Sequence, residues 1–115
     1  MRRKFQSPVC ARVRHVVARI GDRWTTPALL ALHDRPLRFN ELLRELEGVS
    51  QRMLTFTLRN LEREGLIDRT VSGGAARCYH LTRAGRSLCG ILSALRDWGE
   101  EHFDALTARV HELPG

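Results

Sequence analysis

The chain predicts a mainly α-helical domain with one small β-hairpin, and three observations predict it. Residues 51–64 carry Leu54, Leu58 and Leu61 at spacings of four and three, a single apolar stripe on an otherwise polar helix. Two strand-like runs, 66–71 and 77–81, flank Ser72-Gly73-Gly74, and glycine reaches positive φ without steric cost, so they read as a hairpin. A short helix at 39–46, broken by Gly48, precedes them. The order helix, tight turn, helix, strand, turn, strand over 39–81 is that of a winged helix-turn-helix. One domain spans 1–115, with an N-terminal helix and a long C-terminal helix around that unit.

Each element has its local cause. Residues 1–6 form a basic arm. Ser7 is a helix cap and Pro8 suits the first helical position. The helix that follows places Val9, Val13, Val16, Val17 and Ile20 on one side, and Gly21 closes it. Trp24 is expected as a core anchor where two helices meet. Thr26-Pro27 starts the next helix by the same cap-plus-proline logic, and 28–32 is apolar nearly all round, hence buried. Pro36 ends it and biases Arg35 toward extended backbone. The segment Leu37-Arg38-Phe39 can pair briefly with the hairpin. Ser50 caps the helix at 51–64 through its hydroxyl, and Gly65 ends that helix where a left-handed residue is needed.

Thr82 caps a last helix expected over 83–110. Gly85, Gly90 and Gly99 each cost it about 1 kcal/mol relative to alanine, so a bend or break is expected near Gly99. Its apolar residues exceed what so small a core can cover, and an uncovered apolar face of that size marks an interface. A two-fold homodimer is therefore expected, built from Val9, Val13 and Val16 of the first helix and Leu92, Leu95, Trp98, Phe103 and Leu106 of the last.

Composition points to the partner. The 115 residues hold 19 Lys plus Arg against 13 Asp plus Glu, a net charge of +6, and Lys4 is the only lysine. Arginine is the better fork for phosphate and guanine, so a DNA or RNA partner is the first expectation, and the helix-turn-helix order makes it double-stranded DNA; a GC-rich genome also raises arginine content. No run of about 18 apolar residues is present and no apolar stretch follows the N-terminal charges, so neither a membrane span nor a signal peptide is expected, and the location is expected to be cytoplasmic. Cys10, Cys78 and Cys89 form no CxxC and fit thiols rather than a disulfide framework. The five histidines are scattered without metal-ligand spacing, and neither a phosphate loop nor HExxH occurs, so no metal, cofactor or enzymatic activity is expected.

The polar face of the 51–64 helix carries the binding reading. Away from the leucine stripe lie Gln51, Arg52, Thr55 and Arg59, with Phe56 near the edge, where it could reach a thymine methyl. Arginine pairs with guanine in bidentate fashion and glutamine with adenine. Asn40 and Ser50 are assigned to the same interface, and Arg38, Arg69 and Arg77 to phosphates around the hairpin. Two other readings stay open: a protein-interaction module, and a small-ligand sensor with a pocket between the first and last helices.

Several pieces, in order and spacing, resemble the HxlR family of bacterial winged-helix regulators, relatives of the MarR group. They are Ile20-Gly21-Asp22-Arg23-Trp24, Arg38-Phe39-Asn40-Glu41-Leu42, Val49-Ser50-Gln51-Arg52-Met53-Leu54-Thr55, Leu58-Arg59-Asn60-Leu61-Glu62-Arg63-Glu64-Gly65-Leu66-Ile67, Tyr79-His80-Leu81-Thr82 and Trp98-Gly99. The resemblance implies a homodimeric DNA-binding transcription factor, often a repressor of neighbouring genes. It also implies that a cysteine at the start of the first helix can sense electrophiles, quinones or oxidants, and Cys10 lies at or within one position of it. Here Pro8 precedes Cys10, where the family usually has proline after the cysteine; Thr57 stands where the family is often basic. On the residues alone, Cys10 is either a reactive thiol in the first turn of a helix, favoured by the helix dipole, or a small apolar side chain at a dimer seam.

Overall fold

A computed structural model of the chain describes residues 7–70 and 77–112. The elements run α1 (Pro8–Ile20), α2 (Thr25–Asp34), β1 (Leu37–Arg38), α3 (Phe39–Glu45), α4 (Gln51–Arg63), β2 (Ile67–Thr70), β3 (Cys78–Leu81), α5 (Arg83–Glu101) and α6 (Phe103–Glu112). This is the expected winged helix-turn-helix. The Ser72-Gly73-Gly74 turn lies outside the described residues.

The caps explain where most helices begin. Ser7 Oγ accepts from the Cys10 amide at 3.1 Å, Ser50 Oγ from the Met53 amide at 3.0 Å, and Thr82 Oγ1 from the Gly85 amide at 3.1 Å. Each satisfies an amide that has no partner inside its own helix. Gly48 (φ +95°) and Gly65 (φ +80°) take the left-handed backbone that ends the turn before α4 and the helix itself. One start differs from expectation. α2 opens at Thr25 with Trp24 in the cap position, not at Thr26. Thr25 is buried, and the Thr26 hydroxyl reaches back to the Ile20 carbonyl at 3.5 Å, so tertiary packing rather than a side-chain cap sets this end.

The sheet has the order β1-β3-β2, all antiparallel. Leu37 faces Tyr79 and Ile67 faces Leu81, and all four are buried against the helices. Side chains alternate across a strand, so Cys78 and His80 fall on the opposite face, half-buried. Ala28, Leu29 and Leu32 of α2 meet Leu54, Leu58 and Leu61 of α4 and Cys89 and Leu92 of α5 in one core. Trp24 packs at its edge, half-buried. The Cys89 thiol donates to the Leu29 carbonyl at 3.4 Å, and burial pushes its pKa up, which keeps it neutral.

The expected C-terminal helix over 83–110 is two helices. The break falls at His102 rather than Gly99. The His102 ring stacks on Trp98 with centroids 5.0 Å apart, and Nδ1 donates to the Trp98 carbonyl at 2.9 Å. This ties the residue down as its backbone leaves helical geometry. Leu92, expected at a dimer seam, is instead 2% exposed and belongs to this chain's own core. The face left open on α5 is Ile91, Leu95 and Trp98, spaced four and three and so on one side, continued by Phe103 and Leu106 of α6. On α1, Val9, Val13 and Val17 are exposed, Val16 is half-buried, and no residue of that helix is fully buried.

α5 can begin where it does only because residue 85 lacks a side chain. A Cβ there would fall on the backbone of Leu66, with the carbonyl oxygen nearest. Leu66 also accepts the Thr82 amide at 3.1 Å, so this carbonyl holds the hairpin to the last helix. Gly85→Ala should therefore lower stability by about 1–3 kcal/mol through overpacking, despite alanine's better helix propensity. Gly90→Ala, with nothing within 4 Å of its Cβ, should be neutral or raise it. Urea midpoints of the two variants check this, and equal midpoints would contradict it.

Candidate nucleic-acid interface

The interface is built on α4, whose two sides differ completely. Leu54, Leu58 and Leu61 are at most 1% exposed, whereas Gln51, Arg52, Phe56 and Arg59 are exposed and Thr55 half-buried. The Thr55 hydroxyl donates to the Gln51 carbonyl at 2.8 Å. Thr57, where the resembled family is often basic, is 5% exposed and lies on the core side. The buried stripe fixes the rotation of the helix about its axis, and with it which residues point outward.

Two concave surfaces meet at Phe39 and Asn40. One groove, of about 670 Å³, runs along α4 and is lined by Gln51, Arg52, Thr55, Phe56 and Arg59. The other, of about 620 Å³, lies between α3 and β3 and is lined by Arg38, Glu41, Arg44, Arg77 and Tyr79. Three arginines thus converge beside the α4 groove. The single carboxylate among them is already engaged: Glu41 accepts the Arg38 amide at 2.9 Å and the Arg35 guanidinium at 3.2 Å. The first of these bonds, then the second, holds its carboxyl below the ordinary carboxylate range. Its support of the α3 start is therefore present above that range and lost as pH falls through the lowered pKa.

The structure gathers most of the residues that the sequence assigned. Arg38, Asn40, Gln51, Arg52, Thr55, Phe56, Arg59 and Arg77 line these two grooves. Ser50 caps α4 and lines neither groove. Arg69 stands apart, its Nε 3.1 Å from both carboxylate oxygens of Glu62, so its charge is engaged within the protein. Arg44 was missed. The signal was available, since Asn40 and Arg44 are four apart and share one face of α3. Cys10 is half-buried in the first turn of α1, and Cys78, also half-buried, sits opposite Arg38 in the β1–β3 pairing. No group of three metal-binding side chains occurs among the described residues.

A profile of the HxlR-like helix-turn-helix family matches residues 19–107. The chain belongs to this family. A helix-turn-helix transcriptional regulator of Methanothermobacter thermautotrophicus is 43% identical over 90 residues, covering 76% of this chain and 69% of the relative. The redox regulator HypR in its reduced form is similar with a TM-score of 0.76 and 35% identity, over 84% of this chain and 97% of that one. Quinone-bound YodB from Bacillus subtilis gives a TM-score of 0.71 at 27% identity, over 80% and 99%. As an HxlR-like protein the chain is a DNA-binding transcriptional regulator and not an enzyme. No described helix is long and apolar enough to cross a membrane.

The Ser50 cap separates folding from binding in this HxlR-like chain. Ser50→Ala should lower stability by about 1 kcal/mol. Ser50→Asp should keep the cap and the stability, and if Ser50 stands at the DNA interface the added negative charge should weaken DNA binding. Urea unfolding and DNA titration of the same samples check the pair; an aspartate variant that binds like wild type would remove Ser50 from the interface.

Proposed function

We propose that this HxlR-like regulator acts as a homodimer on a near-palindromic operator, represses transcription there, and responds to an oxidant or electrophile through Cys10. The observation that carries the DNA reading is the α4 groove, where base-reading side chains Gln51, Arg52 and Arg59 adjoin a second groove with three arginines. Arg52, Thr55 and Arg59 reach base edges in a major groove, while Arg38, Arg44 and Arg77 hold phosphates and set the register.

The dimer reading rests on the apolar surface that the fold leaves open. Val9, Val13 and Val17 of α1 and Ile91, Leu95, Trp98, Phe103 and Leu106 of the last two helices are all 46% or more exposed. A second copy of the chain covers them, and two-fold symmetry pairs the same patch on both copies. The thiol reading rests on position. Cys10 is partly accessible in the first turn of α1, one residue from Val9 on the face assigned to the dimer. HypR is a redox regulator, and YodB has been solved with quinone bound. A two-electron oxidant converts such a thiol to a sulfenic acid, which condenses with a second thiol to a disulfide with loss of water. Across the dimer, that bond shifts α1 and the spacing of the two α4 helices.

Fluorescence anisotropy with a duplex selected from random or upstream DNA, beside an unrelated duplex, tests the reading. Arg52→Ala should cost about 1–3 kcal/mol on the selected duplex and relax selectivity; an equal loss on both duplexes removes its base-reading role. Mild oxidant should release wild type but not Cys10→Ser, and release of both removes the thiol switch. Leu95→Glu should turn the sedimenting dimer into a monomer, and an unchanged dimer would place the interface elsewhere.

A further inference from the structure

β3 is the middle strand of the sheet, and Tyr79 stands on it opposite Leu37 of β1 and Arg69 of β2. A central strand is paired along both edges, so this residue has little freedom. Tyr79 belongs to the core cluster and is only 9% exposed. It nevertheless lines the groove that Arg38, Arg44 and Arg77 share. The hydroxyl has no hydrogen-bond partner among the described residues. It is not enclosed either, because the Arg19 Nε is the one buried side-chain polar atom left unpaired there. The exposed fraction of Tyr79 therefore includes its hydroxyl, and the groove is where it opens.

A tyrosine that buries its ring and leaves its hydroxyl at a surface offers a donor held in place. The surroundings select what it meets. Three guanidinium groups and one carboxylate line the groove, and that carboxylate, Glu41, accepts from the Arg38 amide and the Arg35 guanidinium rather than from Tyr79. The balance favours an anion, and a phosphate oxygen accepts from a hydroxyl in a short, charge-assisted bond. The two kinds of donor differ in how firmly they are placed. The arginines are long, exposed side chains, whereas the phenol is fixed by the core and marks one point in space with little further ordering.

We propose that the Tyr79 hydroxyl donates to one backbone phosphate of the bound duplex per chain, and that this contact fixes the register of the hairpin on the DNA. Phosphate contacts position a protein without reading sequence. Arg38, Arg44 and Arg77 attract the backbone into the groove, and Tyr79 sets where it comes to rest. The bond adds no charge, so it releases no counterion and leaves the salt dependence of binding unchanged. The proposal rests on the DNA reading of this groove and adds to it a neutral contact made by a core residue.

Tyr79 is the only tyrosine of the chain, so the full chain labelled with 3-fluorotyrosine gives one 19F signal. That signal should shift and saturate as a duplex selected from random DNA is added. Tyr79→Phe keeps the ring, should unfold at the wild-type urea midpoint, and should bind the selected duplex about tenfold more weakly. Its slope of log affinity against log salt should match wild type, whereas Arg44→Ala should lower the slope by about one. A duplex series with a neutral methylphosphonate at each backbone position in turn should contain a position that costs wild type several-fold more than Tyr79→Phe; a merely structural role produces no such position. In the labelled wild type the same substitution should reduce the 19F shift at saturation, a reading that stands even where the variant does not fold. Duplex binding with an unmoved 19F signal, wild-type affinity of Tyr79→Phe, or methylphosphonate losses equal in both proteins at every position overturns the contact. A chain that binds no duplex overturns the DNA reading itself, which is a separate failure.

Discussion

The burial of one leucine stripe governs this structure. Leu54, Leu58 and Leu61 lie almost wholly out of water against α2, β2 and α5, and no other rotation of α4 removes them from it. A helix so committed on one side has no freedom on the other. The positions of Gln51, Arg52, Thr55 and Arg59 are therefore consequences of packing. They do not depend on any contact these polar residues make among themselves. Binding chemistry on a rigid helix is presented in advance, so little ordering is needed when DNA arrives.

The surrounding elements set where that helix points. Ser50 and Gly48 fix the entry into α4, and Gly65 fixes the exit toward β2. The close approach of Gly85 to Leu66 then locks the hairpin to α5. β1 extends the sheet by only two residues, yet it sets Arg38 beside the groove that Arg44 and Arg77 share. The arginines meet across three segments that are distant in sequence. Glu41, held by the Arg38 amide and the Arg35 guanidinium, lines the same groove, whereas Arg69, paired to Glu62, contributes little net field.

Much of this was legible in the chain because the signals are local. A hydroxyl before a periodic run, a glycine after it and a stripe at four-three spacing act within one or two turns, and α4 and its caps stand as read. The errors arose where tertiary contacts decide. α2 starts at a buried Thr25, because packing at Trp24 outweighs the cap preference of Thr26. The last helix breaks at His102 because a ring stack and a side-chain bond hold that residue, while glycine alone costs a helix only about 1 kcal/mol. α5 carries apolar residues on two sides, and periodicity does not tell which side faces the chain's own core; Leu92 proved to face inward and Ile91 outward. Arg44 was readable from its spacing to Asn40, but the groove that gives it meaning needs β3, far along the sequence.

In the proposed dimer, two copies of the chain present two α4 helices to successive major grooves. Hydroxyl-radical footprinting of the reduced protein on a duplex selected from random DNA tests it most directly. Two equivalent protected patches related by two-fold symmetry are expected, with centres separated by about one helical turn, roughly 10 base pairs, or a multiple of it. A single asymmetric patch, or protection spread evenly along the duplex, would contradict it.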